Sequence, residues 1–172
     1  MVTLMAEQSR RMTRLVEDLL TLSRLESEPE PSRTEVVDVP ALVESLAGEA
    51  RALSGGRHQI VVAEASGGRV RASAEELRSA FGNLVSNAVR YTPEGGVIRV
   101  SAVSRVDGGL EIRVNDSGPG IAPEHLPRLA ERFYRVDGSR SRETGGPGLG
   151  LSIVKHVAQR HGGELRIRSE EH

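Results

Sequence analysis

A chain of 172 residues with 37% hydrophobic content has room for one packed domain and an extra element, and with only 2% aromatics its core must be aliphatic. The formal net charge of -1, without a long basic run, argues against a nucleic-acid-binding surface, and the absence of cysteine excludes disulfides and thiolate metal sites. No apolar run is long enough to span a bilayer and no secretory leader is visible, so the chain as it stands is expected to be soluble.

Met1 to Ser27 reads as one long amphipathic helix. Met5, Met12 and Leu19 recur every seven residues, Leu15, Val16 and Leu22 fill the second apolar position, and Arg10, Arg11, Arg14, Glu17 and Asp18 lie outside the seam. No other stretch repeats this pattern. The helix is therefore expected to pack in a bundle against a copy of itself or a helix outside this chain, with folding back on the main domain as the alternative. In E-S-E-P-E-P-S-R-T-E, Pro29 and Pro31 break the helix and favour extended backbone. Residues 28–35 thus read as a linker between the helical piece, 1–27, and a second unit, 36–172.

That unit opens with a strand over Val36 to Val39, and Pro40 then sits in the first turn of a helix reaching about Leu53, ended by Gly55-Gly56. Gln59 to Ala63 reads as a strand, Gly67-Gly68 as a turn and Val70 to Ala72 as a short strand, with Ser73 as the N-cap of the next helix.

Leu77 to Thr92, L-R-S-A-F-G-N-L-V-S-N-A-V-R-Y-T, is the most informative stretch. Leu77, Phe81, Leu84, Val85 and Ala88 recur at helical spacing, while Asn83 and Asn87, at i and i+4, share one side. Asn is a poor helix-interior residue because its side chain competes for backbone hydrogen bonds. A single one is ordinarily a satisfied core amide. A pair, followed by Arg90 and Tyr91 and closed by Thr92-Pro93, points to a ligand site. Amide oxygens suit a hard cation such as Mg²⁺, and Arg90 lies one turn along to meet anionic oxygens, so the combination suggests a metal-nucleotide.

After the Glu94-Gly95-Gly96 turn, Val97 to Val106 alternates apolar and polar residues, Asp107-Gly108-Gly109 is a hairpin turn, and Leu110 to Val114 returns as a second strand. The sheet is expected to be mixed or antiparallel with helices on one face, which makes an α+β two-layer sandwich. In N-D-S-G-P-G-I, Asp116 can accept from an exocyclic amine, and Gly118 and Gly120 let a flat ligand approach the backbone; the same spelling is equally an ordinary turn. Ala122 to Gly146 reads as a long loop, rich in Pro, Arg, Ser and Gly, with Phe133-Tyr134 as its aromatics. Arg135, Arg140 and Arg142 can meet phosphate or merely solvate the loop. G-G-P-G-L-G-L then leads into a helix marked by Leu149, Ile153, Val157 and Ala158 and ended by Gly162-Gly163. A glycine-rich entry to a helix N-terminus offers a phosphate site, although flexible punctuation is the competing reading, and no Walker-type or Rossmann spacing is present. Glu164 to Arg168 is expected to be a last strand.

The asparagine helix, D-S-G-P-G, E-R-F-Y-R-V-D and G-G-P-G-L-G-L occur in the order of the N, G1, F and G2 boxes of sensor histidine kinases. The chain therefore resembles that family, within the gyrase, Hsp90, histidine kinase and MutL ATPase superfamily. I-A-P-E-H-L-P-R-L-A-E-R-F-Y-R-V-D with S-R-x-x-T-G-G is similar to the phosphate-regulon sensor kinases in particular. The resemblance implies a Bergerat-type ATP fold in which Asn83 and Asn87 hold Mg²⁺ and phosphates, Arg90 meets phosphate, and Tyr91 lines the pocket. Asp116 would take the adenine amino group with Gly118 and Gly120 beneath the base. Phe133 and Arg135 would belong to a lid, Gly146, Gly148 and Gly150 would cradle the phosphates, and Ile121 and Leu149 would complete the ATP-binding set. It further implies a cognate response regulator as partner, and a homodimer of the full protein through a helical hairpin whose second helix is Met1 to Ser27. Residence in the cytoplasmic portion of an inner-membrane sensor is also implied, with any membrane contact made by segments absent here.

Three departures accompany the resemblance. None of His58, His125, His156, His161 or His172 lies in the family's phosphoacceptor motif, so the nucleophile and its acidic neighbour, the general base, are absent. Pro147 stands where Ser or Thr is usual, removing a hydroxyl and a backbone N–H from the phosphate loop. The sequence also stops before the strand that usually completes the sheet, leaving an edge expected to be unpaired or supplied by residues outside this sequence. ATP binding without self-phosphorylation is the expected behaviour. A hydrolytic ATPase is disfavoured, because no carboxylate follows Glu76 near Ser79, Ala80 and Gly82; an anti-sigma serine kinase would lack the leading helix and linker. The alternative of a different class is a non-catalytic nucleotide-sensing or dimerisation module.

Overall fold

Short polar side chains decide where the helices beside the sheets begin. The computed structural model describes residues 1–31, 33–136 and 148–170, and these form two compact units, one of Pro31–Gly120 with Glu170 and one of Met1–Glu30 with Ile121–Ser169. In the first, strand β1 (Glu35–Asp38) ends at the N-cap of helix α2 (Val39–Ser54), where Asp38 Oδ1 accepts from Ala41 N at 3.0 Å. Val39 is therefore the first helical residue and not the end of the strand. Gly55, at φ 58°, closes the helix in the left-handed region that suits glycine.

Strands β2 (Gln59–Ala65) and β3 (Arg69–Ala72) follow, and then helix α3 (Ala74–Tyr91), capped by Ser73 Oγ accepting from Glu76 N at 3.3 Å. Strands β4 (Val97–Ser104) and β5 (Leu110–Asp116) make the hairpin. β5 thus runs two residues past Val114, because the ladder continues through Arg99 opposite Asn115 and Ile98 opposite Asp116. β1 pairs antiparallel with β3. The other sheet has the order β2-β4-β5, parallel between β2 and β4 and antiparallel between β4 and β5. The expected mixed sheet is present, and the fold is α+β.

Period-two alternation buries Ile98, Val100 and Ala102 of β4, while α2, which packs on β2 and β4, buries Val43, Leu46 and Ala47. The core is aliphatic, as the scarcity of aromatics requires. Each buried Val, Leu or Ile among them contributes about 1.5–3 kcal/mol relative to exposure.

The second unit contains helix α1 (Val2–Ser27), a 3-10 turn (Leu126–Arg128) inside what reads from sequence as plain loop, and helix α4 (Gly150–Arg160). The C-terminal end of α1 packs on α4, burying Leu22 and Leu25, so part of the helix takes the alternative of folding back within the chain. The heptad seam before it, Met5, Met12, Val16 and Leu19, stays exposed. Length explains the split: the 11 residues of α4 span about 16 Å against about 39 Å for the 26 of α1.

The junction is polar at its rim. Arg160 Nη1 donates to Leu25 O at 3.3 Å and to Glu28 O, and Nη2 donates to Glu30 O at 2.9 Å, which satisfies carbonyls at and beyond the end of α1. Glu26 Oε1 pairs with Arg132 and lies 3.6 Å from His156 Nε2. Glu164 to Arg168, expected as a strand, has no partner strand among the described residues. Its alternation of Leu165 and Ile167 with charged residues suits a sheet, but a strand exists only through the ladder that a neighbour supplies.

Candidate nucleotide site

Helix α3 buries Leu77, Ala80, Val85, Ala88 and Val89 on one side and carries Asn83, Asn87 and Arg90, all half-buried, at the i, i+4, i+7 spacing of another. Asn83 Nδ2 donates to Ser79 O at 2.7 Å, which commits its amide nitrogen to the helix and leaves its oxygen to accept or to ligate. Tyr91, the last helical residue, is exposed. Among the described residues no three His, Cys, Asp or Glu side chains gather into a metal cluster. The amide pair fits a hard cation that draws most of its ligands from phosphate oxygens and water, and does not fit one caged by protein carboxylates.

Asp116 ends β5 and turns back on itself. Its Oδ1 accepts from Gly118 N at 2.9 Å, so the second carboxylate oxygen remains an acceptor for a ligand amine. A Cβ on Gly118 would lie 2.8 Å from that Oδ1 and 3.4 Å from Tyr91 O, so a side chain there would have to displace the carboxylate. Ser117 Oγ accepts from Val97 N at 2.8 Å and ties the turn to the start of β4. Gly120 closes this unit.

Two residues missed in the sequence, Ser54 and His58, support this end of α3 through Thr92. Ser54 Oγ accepts from His58 N at 2.9 Å and lies 2.9 Å from His58 Nδ1, and His58 Nε2 is 2.6 Å from Thr92 O. A carbonyl only accepts, so Nε2 carries the proton and Nδ1 accepts from the serine hydroxyl. Thr92 itself is buried, and its Oγ1 meets no hydrogen-bond partner among the described residues. An unmet buried hydroxyl costs about 1–3 kcal/mol. No local pattern marks these residues; only Thr92 stands out, as the residue that closes the helix.

The remaining expected residues belong to the other unit. Ile121 N donates to Ser169 Oγ at 2.7 Å. Phe133 adopts φ 63°, rare outside glycine, and its N–H donates to Gly148 O at 3.0 Å. Gly148 is itself at φ 81°, and a Cβ there would lie 3.0 Å from the Phe133 backbone and 3.3 Å from Arg135 Cγ. The aromatic segment and the glycine loop are thus seated backbone to backbone. Leu149 is buried and Gly150 begins α4, whose N-terminus carries no side-chain cap, so its first N–H groups suit an anion. Tyr134 Oη bonds His125 Nδ1, with the Arg128 guanidinium 4.4 Å from the ring centre. Gly146, Pro147, Arg140 and Arg142 lie outside the described residues. A cleft of about 310 Å³ lined by Leu126, Ala130, Lys155, Leu165 and Ile167 touches none of the expected nucleotide residues.

A mixed sheet under helices, an amide-bearing helix, an Asp-x-Gly turn and a glycine-led helix define a class, and residues 72–172 match the family described as histidine kinase-, DNA gyrase B-, and HSP90-like ATPase. The chain belongs to this ATPase family, on its sensor histidine kinase side. It is 49% identical over 166 residues to the phosphate regulon sensor protein PhoR of Pseudomonas aeruginosa, covering 96% of this chain and 37% of that protein. The chain thus spans well under half of that relative. The mycobacterial sensor histidine kinase MprB superposes with a TM-score of 0.62 at 30% identity, over 74% of this chain and 82% of that one. Full-length ShkA in complex with AMPPNP gives a TM-score of 0.79 at 29% identity, over 94% of this chain and 33% of that one.

Proposed function

We propose that this chain is the ATP-binding catalytic part of a sensor histidine kinase of the phosphate-regulon type. The observation that carries the reading is the pairing, within one unit, of the Asn83–Asn87–Arg90 flank of α3 with a carboxylate turn whose glycine cannot be replaced without displacing an Asp116 oxygen. In this reading Asp116 accepts from the exocyclic amine of adenine, Gly118 and Gly120 leave room for the base, and Tyr91 and Ile121 border the nucleotide. Asn83 and Asn87 hold Mg²⁺, whose charge screens the phosphates when it is bound. Arg90 meets phosphate oxygens, and Gly146, Gly148, Leu149 and Gly150 present the α4 N-terminus to them, with Phe133 and Arg135 in the lid. Phosphoryl transfer depends chiefly on positioning and charge stabilisation, which amides, a guanidinium and helix N–H groups supply.

The phosphoacceptor histidine comes from elsewhere. His58, His125, His156 and His161 each have a protein partner, which supports reading them as structural. In functional terms residues 1–27 are the second helix of the dimerisation and phosphotransfer hairpin, 28–35 a linker and 36–172 the ATP-binding domain. The whole protein is read as a homodimeric inner-membrane sensor that passes the γ-phosphoryl from its histidine to an aspartate of a response regulator. No described helix is long and apolar enough to cross a membrane.

Calorimetric titration with ATP and GTP, each with and without Mg²⁺, tests the assignment. ATP should bind in preference to GTP and more tightly with Mg²⁺, and Asn87→Ala should remove the Mg²⁺ dependence while leaving the fold intact. Equal binding of the two nucleotides would overturn the adenine assignment; an undiminished Mg²⁺ effect in Asn87→Ala would overturn the metal assignment.

A further inference from the structure

We propose that Thr92 is a specificity-determining residue at the purine end of the site, a positioning group that acts through Asp116; the inference rests on reading Asp116 as the acceptor of the adenine amine. Every other group of Thr92 is engaged. Its N–H closes α3 on Ala88 O at 3.1 Å, and its carbonyl accepts from His58 at 2.6 Å. Its methyl sits where a Cβ on Gly96 would be only 2.3 Å away. The hydroxyl lies close to the carboxylate turn instead. Thr92 Oγ1 lies 3.7 Å from the point where a Gly118 Cβ would be, and Asp116 Oδ1 lies 2.8 Å from that same point.

A buried hydroxyl with no partner is a poorer occupant than the isosteric valine, unless another state of the protein uses it. Asp116 supplies that use. Its Oδ1 already accepts from Gly118 N–H, and a further donor on the carboxylate fixes the orientation in which its second oxygen is offered to a ligand. Such a carboxylate accepts from the exocyclic amine of adenine and repels the carbonyl that guanine presents at the same ring position. The Thr92 hydroxyl donates to the carboxylate once the bound base has drawn the 116–118 turn inward. The hydroxyl therefore adds to discrimination between purines while adding nothing to the empty fold.

The test sets stability against recognition in the full chain. Thr92→Val, Thr92→Ser and Asp116→Asn are compared with wild type by thermal unfolding and by titration with MgATP and MgGTP. Thr92→Val should melt at the wild-type temperature or above, bind ATP about ten-fold more weakly and show a narrowed ATP-to-GTP ratio, whereas Thr92→Ser keeps both affinity and ratio. Wild-type affinity and ratio in Thr92→Val would overturn the inference. So would a melting temperature in Thr92→Val that falls together with ATP affinity, since that is the signature of a purely structural hydroxyl. Asp116→Asn separates the layers: an unchanged ratio there overturns the adenine reading itself, and a narrowed ratio beside an unaffected Thr92→Val overturns only the role of Thr92.

Discussion

A side chain at Gly118 would meet the Asp116 carboxylate, since a Cβ there would lie 2.8 Å from Oδ1, a constraint separate from the room for a flat ligand proposed at this glycine. Its backbone conformation is one that alanine tolerates, so the cost of Gly118→Ala falls on the carboxylate. We expect that variant to fold with a loss of about 1–3 kcal/mol in denaturant titration and to lose ATP binding at least ten-fold. Retained affinity would mean that the carboxylate can be displaced without harm to the site. Gly148 is constrained differently, by a left-handed φ and by the Phe133 backbone beside it. The pair of asparagines was legible from spacing alone because the helix period places i and i+4 together. Ser54, His58 and the Thr92 hydroxyl were not, because His58 reaches Thr92 across 34 residues of sequence and no local pattern encodes that contact.

At the scale of elements, strands β4 and β5 follow from alternation and a Gly-rich turn, and the helix starts follow from Asp38 and Ser73. What failed was the element that depends on a neighbour: Glu164 to Arg168 has the alternation of a strand and no ladder among the described residues. The α1–α4 contact was likewise hidden, since Arg160 meets carbonyls 130 or more residues away. That contact carries a titration. Burial lowers the pKa of His156, aided by the nearby Arg132 and Lys155 charges, and the Glu26 carboxylate 3.6 Å away does not reverse the shift because Arg132 already pairs with it. A histidine lowered in the folded state is bound by fewer protons there than in the unfolded chain. Stability is then full above the unfolded pKa of about 6.5 and declines as the pH falls through that value toward the lowered one. Melting temperature should therefore drop on acidification from pH 7 toward pH 5, and His156→Gln should flatten part of that slope. An equal slope in the variant would show that other groups govern it.

For the molecule as a whole, the fold class was legible because a balanced charge, an aliphatic core and alternating periods of two and 3.6 residues leave few architectures open. The extent of each unit was less so, for burial is decided by contacts between distant segments. Met5, Met12, Val16 and Leu19 remain exposed on α1, an apolar stripe at heptad spacing. In the reading proposed here the stripe belongs to a helical hairpin, and sedimentation should show association that rises with protein concentration. Met12→Glu with Leu19→Glu should abolish that association and leave ATP affinity unchanged; association surviving in the double variant would place the contact elsewhere.

The grip of Arg160 holds the carbonyls of Leu25, Glu28 and Glu30, atoms that every amino acid possesses. Most of that grip is therefore blind to the side chains at positions 28 and 30, although the Glu28 carboxylate, 3.9 Å from Arg160 Nη2, adds a contact of its own. The guanidinium thus reads the course of the backbone, while Leu22, Leu25 and the Glu26–Arg132 pair make the rest of the attachment through their side chains.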